Sequence, residues 1–134
     1  MHPELLQSLT AKAFVALPAT LHEFQRYSLE KEGWPRIPVI VEEIGSSVQG
    51  ILVRDVDEDS VEVLDDFEDV EFGLYVKRQV EIVGNSGHTS DAIAYVAGPE
   101  ALDYLSGVWR PEQFLEQYYY DYRDRIIPDF LSER

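Results

Sequence analysis

Leu64-Asp65-Asp66-Phe67-Glu68-Asp69-Val70-Glu71-Phe72-Gly73-Leu74-Tyr75 sets a run of carboxylates in an apolar frame just ahead of a strand-like segment. Loss of water raises a carboxyl pKa towards neutrality, where one group can both accept and return a proton, and neighbouring acids push the same way. Glu68, beside Phe67 and crowded by Asp65, Asp66, Asp69 and Glu71, fits that description best. The plainer reading is an acidic helix end facing water, which is the usual fate of a charge run. Charge alone does not choose between the two.

The flanks place Glu68 in a fold. Asp57, Asp59 and Ser60 are helix N-cap types ahead of Val61, Leu64, Asp65 and Glu68, so Glu68 falls at the C-terminal end of a short helix. The helix dipole disfavours an acid there, which again raises its pKa. Downstream, Val76, Arg78, Val80 and Ile82 share one strand face and Lys77, Gln79 and Glu81 the other. Gly84-Asn85-Ser86-Gly87 then supplies turn chemistry, and Ala92, Ala94 and Val96 return as the second arm of a hairpin.

Further out, Leu17 to Leu29 is extended, and Trp34-Pro35 with Ile37-Pro38 predicts an open loop, because residues before proline avoid the helical region. Val48, Gly50 and Leu52 alternate with Gln49, Ile51 and Val53, leaving apolar groups on both faces as a central strand would. Pro3 to Leu9 reads equally as a short helix, with Leu5, Leu6 and Leu9 on one side, and as a frayed terminus. Past Pro99, Leu102, Leu105, Phe114, Tyr118, Tyr122 and Ile126 recur at helical spacing until Pro128. Tyr118 and Tyr122 are expected in the core, with Tyr119 and Tyr120 at the rim. Strands first, one short helix inserted and a longer helix last predict an α+β domain with a mostly antiparallel sheet.

Composition narrows the chemistry. A chain of 134 residues with 45% hydrophobic content fits one ordinary core, and a single domain over 1–134 is expected. No run approaches the roughly 18 apolar residues of a membrane helix, and the start resembles no secretory signal, so a soluble, cytoplasmic protein is the expectation. Without cysteine there is no disulfide, thiolate nucleophile or Cys-based zinc site. A net charge of −15 with only 11 basic residues argues against nucleic acid and anionic membranes as partners. His2, His22 and His88 lie singly, without ligand spacing, so no metal is expected. Gly45-Ser46-Ser47 forms no nucleophile elbow, and no glycine-rich loop leads from a strand into a helix to cradle phosphate. No cofactor is expected.

Ordered blocks carry a more specific signal. Leu17-Pro18-Ala19-Thr20-Leu21, Phe24 with Arg26-Tyr27, Trp34-Pro35, Ser47-Val48-Gln49-Gly50-Ile51-Leu52, Leu64-Asp65 with Phe67-Glu68, and Gly73 with Tyr75-Val76 follow one another as in the gamma-glutamylcyclotransferase-like, or avirulence-induced-gene-like, family. The chain resembles that family from about Thr10 to Val96. The Tyr-Gly-Ser/Thr-Leu strand and turn with which members usually open has no counterpart among these residues. The resemblance implies a small, mixed, curled sheet or barrel with helices against it, and cofactor-free cyclisation of a gamma-glutamyl amide to 5-oxoproline. It makes Glu68 the general base and acid, with Phe67, Gly73 and Tyr75 at the substrate. Lack of the first strand leaves a sheet edge unpaired, which invites a second copy of the chain. A catalytically impaired ligand-binding or interaction protein on the same fold is the alternative.

Overall fold

A computed structural model describes every residue except Met1, Trp34, Pro35, Asp69, Phe72, Pro111 and 113–117. The expected Trp34-Pro35 loop and the Phe114 position of the C-terminal stripe therefore lie outside the described residues.

Helix α1, Pro3–Thr10, forms: the His2 side chain accepts from Glu4 N–H, Pro3 opens the first turn, and Leu5, Leu6 and Leu9 are buried. Strands β1 (Ala16–Leu29) and β2 (Ile37–Val53) follow as a long antiparallel ribbon, with a register shift between His22 and Phe24 where Glu23 takes φ +66°. Ile37 and Pro38, expected in a loop, already pair with Leu29 and Ser28. Pro38 is tolerated because β2 ends the hydrogen-bonded strand order β2-β1-β3-β4, where a strand has a side without partners. For the same reason β2 is not the central strand its two apolar faces predict, and Ile44 is 91% exposed.

Helix α2, Glu58–Phe67, leads to strands β3 (Tyr75–Gly84) and β4 (Thr89–Ala97), which form the expected hairpin from Tyr75 opposite Ala97 to Val83 opposite Thr89. Among the described residues strand β3 pairs with β1 only at Ala19–Gly84 and Thr20–Val83, and β5 (Leu105–Val108) adds to the far end of β1 at Tyr27 and Leu29. All these pairs are antiparallel. Phe24, Val48, Val80, Ile82 and Val96 form one cluster. Leu29, Val39, Leu74, Tyr75 and Ala101 form a second.

The C-terminal region departs from the helical stripe read in the sequence. Leu102–Tyr104 is a single 3₁₀ turn and Leu105 begins β5, so these leucines belong to no long helix. The final helical run, α3, joins Tyr119–Asp121, a π-helical stretch Tyr122–Ile126, and Ile127–Glu133. It does not stop at Pro128. Proline lacks an N–H and crowds the carbonyl four residues back, and the wider π turns before it take up that misfit. Tyr119, expected at the rim, is buried at 7% exposure and donates to Glu4, while Tyr120 stays 59% exposed. Packing against α1 selects this face: Leu5, Leu9, Tyr119, Tyr122 and Ile127 make the third cluster, flanked by Val63, Leu64, Phe67 and Phe130.

One close approach locks the β3–β4 hairpin to the turn that precedes it. A Cβ built on Gly98 would lie 2.0 Å from the Gly73 carbonyl oxygen and 2.8 Å from its carbon, both rigid backbone. Gly98 N–H donates to Leu74 O at 2.9 Å, so the two chains cannot separate without losing that bond. Gly98→Ala should destabilise the protein by about 1–3 kcal/mol, an overpacking cost. In urea the midpoint should fall with an unchanged slope; an unaltered midpoint would refute the close approach.

Candidate active site

Asp57 starts the element that carries Glu68. Its side chain accepts Ser60 N–H at 3.2 Å and Ser60 Oγ at 2.7 Å, and Lys12 Nζ pairs with it at 2.7 Å. Those partners hold the Asp57 carboxyl well below its ordinary range. Along α2, Val63, Leu64 and Phe67 pack on the α1–α3 cluster, Phe67 meeting Phe130 edge-on with ring centroids 5.3 Å apart. Arg134 adds a 3.0 Å ion pair to Asp66.

Glu68 is the C-cap of this helix, its N–H bonded to Leu64 O at 2.9 Å. Its position agrees with the capping pattern of the sequence. Loss of water around the carboxyl pushes its pKa up to about 7. Beyond it, Gly73 holds φ +81°, in the left-handed region that glycine enters without a Cβ penalty, and donates to Val70 O at 3.1 Å. The chain then enters β3 at Tyr75, which is 6% exposed.

Three tyrosines from three elements stand near Glu68. Burial, and then the charge of Glu68, raise the pKa of Tyr75 on β3 and Tyr122 on α3. On β4, burial leads again, followed by the hydrogen bond and charge of Asp65, with Glu68 adding to the rise at Tyr95. The Tyr75 hydroxyl donates to Pro38 O at 2.5 Å and that of Tyr122 to Arg36 O at 3.1 Å. The Tyr95 hydroxyl donates to Asp65 Oδ1 at 2.5 Å, while Lys77 Nζ lies 2.8 Å from Asp65 Oδ2. Burial works to raise Asp65, yet Lys77 and Tyr95 outweigh it and the carboxyl ends below its usual value. One turn of helix thus carries two carboxyls of opposite character, Asp65 held ionised and Glu68 held near neutrality.

Of the residues singled out in the sequence, Glu68 caps α2, its charge acts on Tyr75 at the start of β3, Gly73 lies in the turn between them, and Phe67 is turned into the helix cluster. The Tyr75 hydroxyl gives its hydrogen to Pro38 O and not to Glu68. Tyr95, Tyr122 and Lys77 were not singled out for this site. Register offered a signal for two of them: counting back from Val83–Thr89 across the hairpin turn pairs Lys77 with Tyr95, which puts both on the face of Tyr75. A separate cavity of about 110 Å³, lined by Pro3, Leu6, Phe14 and Val53 among others, contains none of these groups.

Comparison with known proteins completes the picture. No curated protein matches the sequence. A solved structure named gamma-glutamyl cyclotransferase superimposes with a TM-score of 0.65 at 15% identity, over 98% of this chain and 92% of that one. A solution structure from Arabidopsis thaliana gives 0.64 at 21% identity, over 99% and 75%, and a Homo sapiens crystal structure gives 0.64 at 16%, over 97% and 94%. At these identities the likeness is one of fold. The sequence profile of the AIG2-like gamma-glutamyl cyclotransferases matches residues 1–111, more than four-fifths of the chain, and the chain belongs to that family.

Proposed function

We propose that this protein cyclises a gamma-glutamyl amide, releasing an amine and 5-oxoproline, with Glu68 as general base and then general acid. The observation that carries the proposal is the place of Glu68 as the C-cap of α2, where loss of water pushes its carboxyl up to about 7. A group so poised takes and returns a proton at neutral pH.

The reaction needs no nucleophile from the protein. Ionised Glu68 removes a proton from the substrate α-ammonium, and the freed amine attacks the γ-carbonyl carbon to close a five-membered ring. The C–N bond to the leaving group breaks as the carbonyl re-forms, the proton held by Glu68 passes to the departing nitrogen, and Glu68, ionised again, takes the second proton that the ring nitrogen loses on becoming an amide. Holding the substrate folded supplies most of the advantage, since both reacting groups are its own. Tyr75 and the Gly73 turn would line the bound substrate, while Phe67 anchors the helix end that carries Glu68. Family membership supports this reading.

Glu68→Gln should reduce 5-oxoproline release from gamma-glutamyl compounds at least ~10²-fold, the usual scale of lost general acid–base catalysis. Retained turnover in a folded Gln variant would refute the assignment. Product from neither protein, with thermal stabilisation by the same compounds, would favour a ligand-binding protein instead.

The pH dependence has a definite sign. The proposed base must be ionised, so kcat/KM should rise with pH through about 7. The folded-state pKa lies above the ordinary 4.5, so between these values the folded state holds more protons than the unfolded one. Stability therefore falls as pH rises across that window and the deficit is complete above it. Glu68→Gln should raise stability at pH 8 by up to about 3 kcal/mol and much less at pH 4, read from urea melts at both pH values. Equal effects at the two would contradict a buried, proton-poised Glu68.

A further inference from the structure

We propose that Arg26 anchors a binding site for a small carboxylate on the face of the sheet opposite the one that meets α2. The site is independent of the reaction given above.

Strand register separates the two faces. Residues opposite each other in an antiparallel ladder share a face, and the next residue along each strand takes the other. Arg26 stands opposite Ile40, and Arg78 opposite Ala94. Ile40 and Ala94 pack on the cluster of Phe24, Val48 and Val80, so both arginines belong to that face. Arg78 lies over the Phe24 ring, 5.4 Å from its centroid. Tyr27, Tyr75 and Tyr95 join the Leu29–Val39 cluster instead, and Lys77, opposite Tyr95, reaches Asp65 of α2. Arg26 therefore lies across the sheet from the side chains that meet α2.

The Arg26 guanidinium is a cation without a counter-ion. Arg36, Arg78, Arg123, Arg125 and Arg134 each pair with a carboxylate. Arg26 has no such partner among the described residues, although the chain holds 26 acidic residues. Loss of water lowers its pKa, and no carboxylate acts against that fall. One terminal nitrogen donates to Gln49 O at 3.0 Å. A Cβ on Gly50 would stand 4.0 Å from that same nitrogen, so glycine leaves the flank of the guanidinium bare of side chain. Every fully buried side-chain nitrogen or oxygen among the described residues has a hydrogen-bond partner, so the uncommitted N–H groups of Arg26 are open to solvent.

Stripping water from an unpaired charge is costly, and a planar carboxylate supplies the opposite charge with two acceptors matched to the guanidinium fork. The net charge of −15 repels anions at long range, but salt screens that repulsion beyond about 10 Å at 0.1 M and leaves the contact pair largely intact. The apolar residues of this face are already buried against one another, so the site recognises a carboxylate and not an apolar tail.

Sodium acetate, inorganic phosphate and sodium chloride should be titrated separately into isotope-labelled protein at neutral pH and matched ionic strength, following the Arg26 Nε–H and Gly50 N–H resonances. Acetate should shift both saturably and bind at least tenfold more tightly than chloride, and more tightly than phosphate. Arg26→Lys keeps the charge and loses the fork, and should weaken acetate about tenfold. The wild-type titration needs no variant, so failure of Arg26→Lys to fold leaves the test intact. Shifts that do not saturate, an equal response to chloride, tighter binding of phosphate, or shifts centred on Tyr75 and Tyr95 would each overturn the site, as would unchanged acetate binding by a folded Arg26→Lys protein.

Discussion

Asp65 holds the end of α2 to the β3–β4 hairpin. Its two carboxylate oxygens take Lys77 from β3 and Tyr95 from β4 at 2.8 and 2.5 Å, and Glu68 lies just one turn further along the same helix. Because Lys77 and Tyr95 are opposite each other in the ladder, the clamp reads the register of the hairpin directly. Slippage by one residue would send both side chains to the other face and release the helix. The place of Glu68 thus depends on the pairing of two strands that contribute nothing to its own backbone.

The clamp also separates the proton affinities of two neighbouring carboxyls. A cation and a hydroxyl donor keep Asp65 ionised, while loss of water around the Glu68 carboxyl pushes its pKa up. Environments that push two acids apart are a recurrent way of assigning distinct roles to chemically similar groups. The folded state bears the cost of Glu68, since its ionised form would be better solvated in the unfolded chain. Three clusters of buried side chains offset that cost.

Much of this was legible in the sequence for local reasons. Asp57 capping, the apolar spacing of α2 and the Gly84–Gly87 turn are short-range devices whose geometry is set within a few residues, and each appears where it was read. The misreadings concern elements whose form is imposed from outside. Leu105 follows helical spacing but pairs with Leu29 of β1, and Tyr119 turns inward because α1 offers it Glu4 and an apolar face. Pro128 marks a helix end by local rule, yet the π turns carry the helix past it.

By itself, the sequence determined the short helix α2, the β3–β4 hairpin with its turn, and the placing of Glu68 at a helix C-terminus beside apolar neighbours. Each follows from periodicity and capping, which act over one or two turns of chain. Only the tertiary structure decided that Tyr75, Tyr95 and Tyr122 converge near that carboxyl, and that their hydrogens point to Pro38, Asp65 and Arg36. Those residues are separated by tens of positions, and no local preference brings them together. Burial of three apolar clusters does so, and the desolvation that follows turns an ordinary glutamate into a group able to exchange its proton at neutral pH.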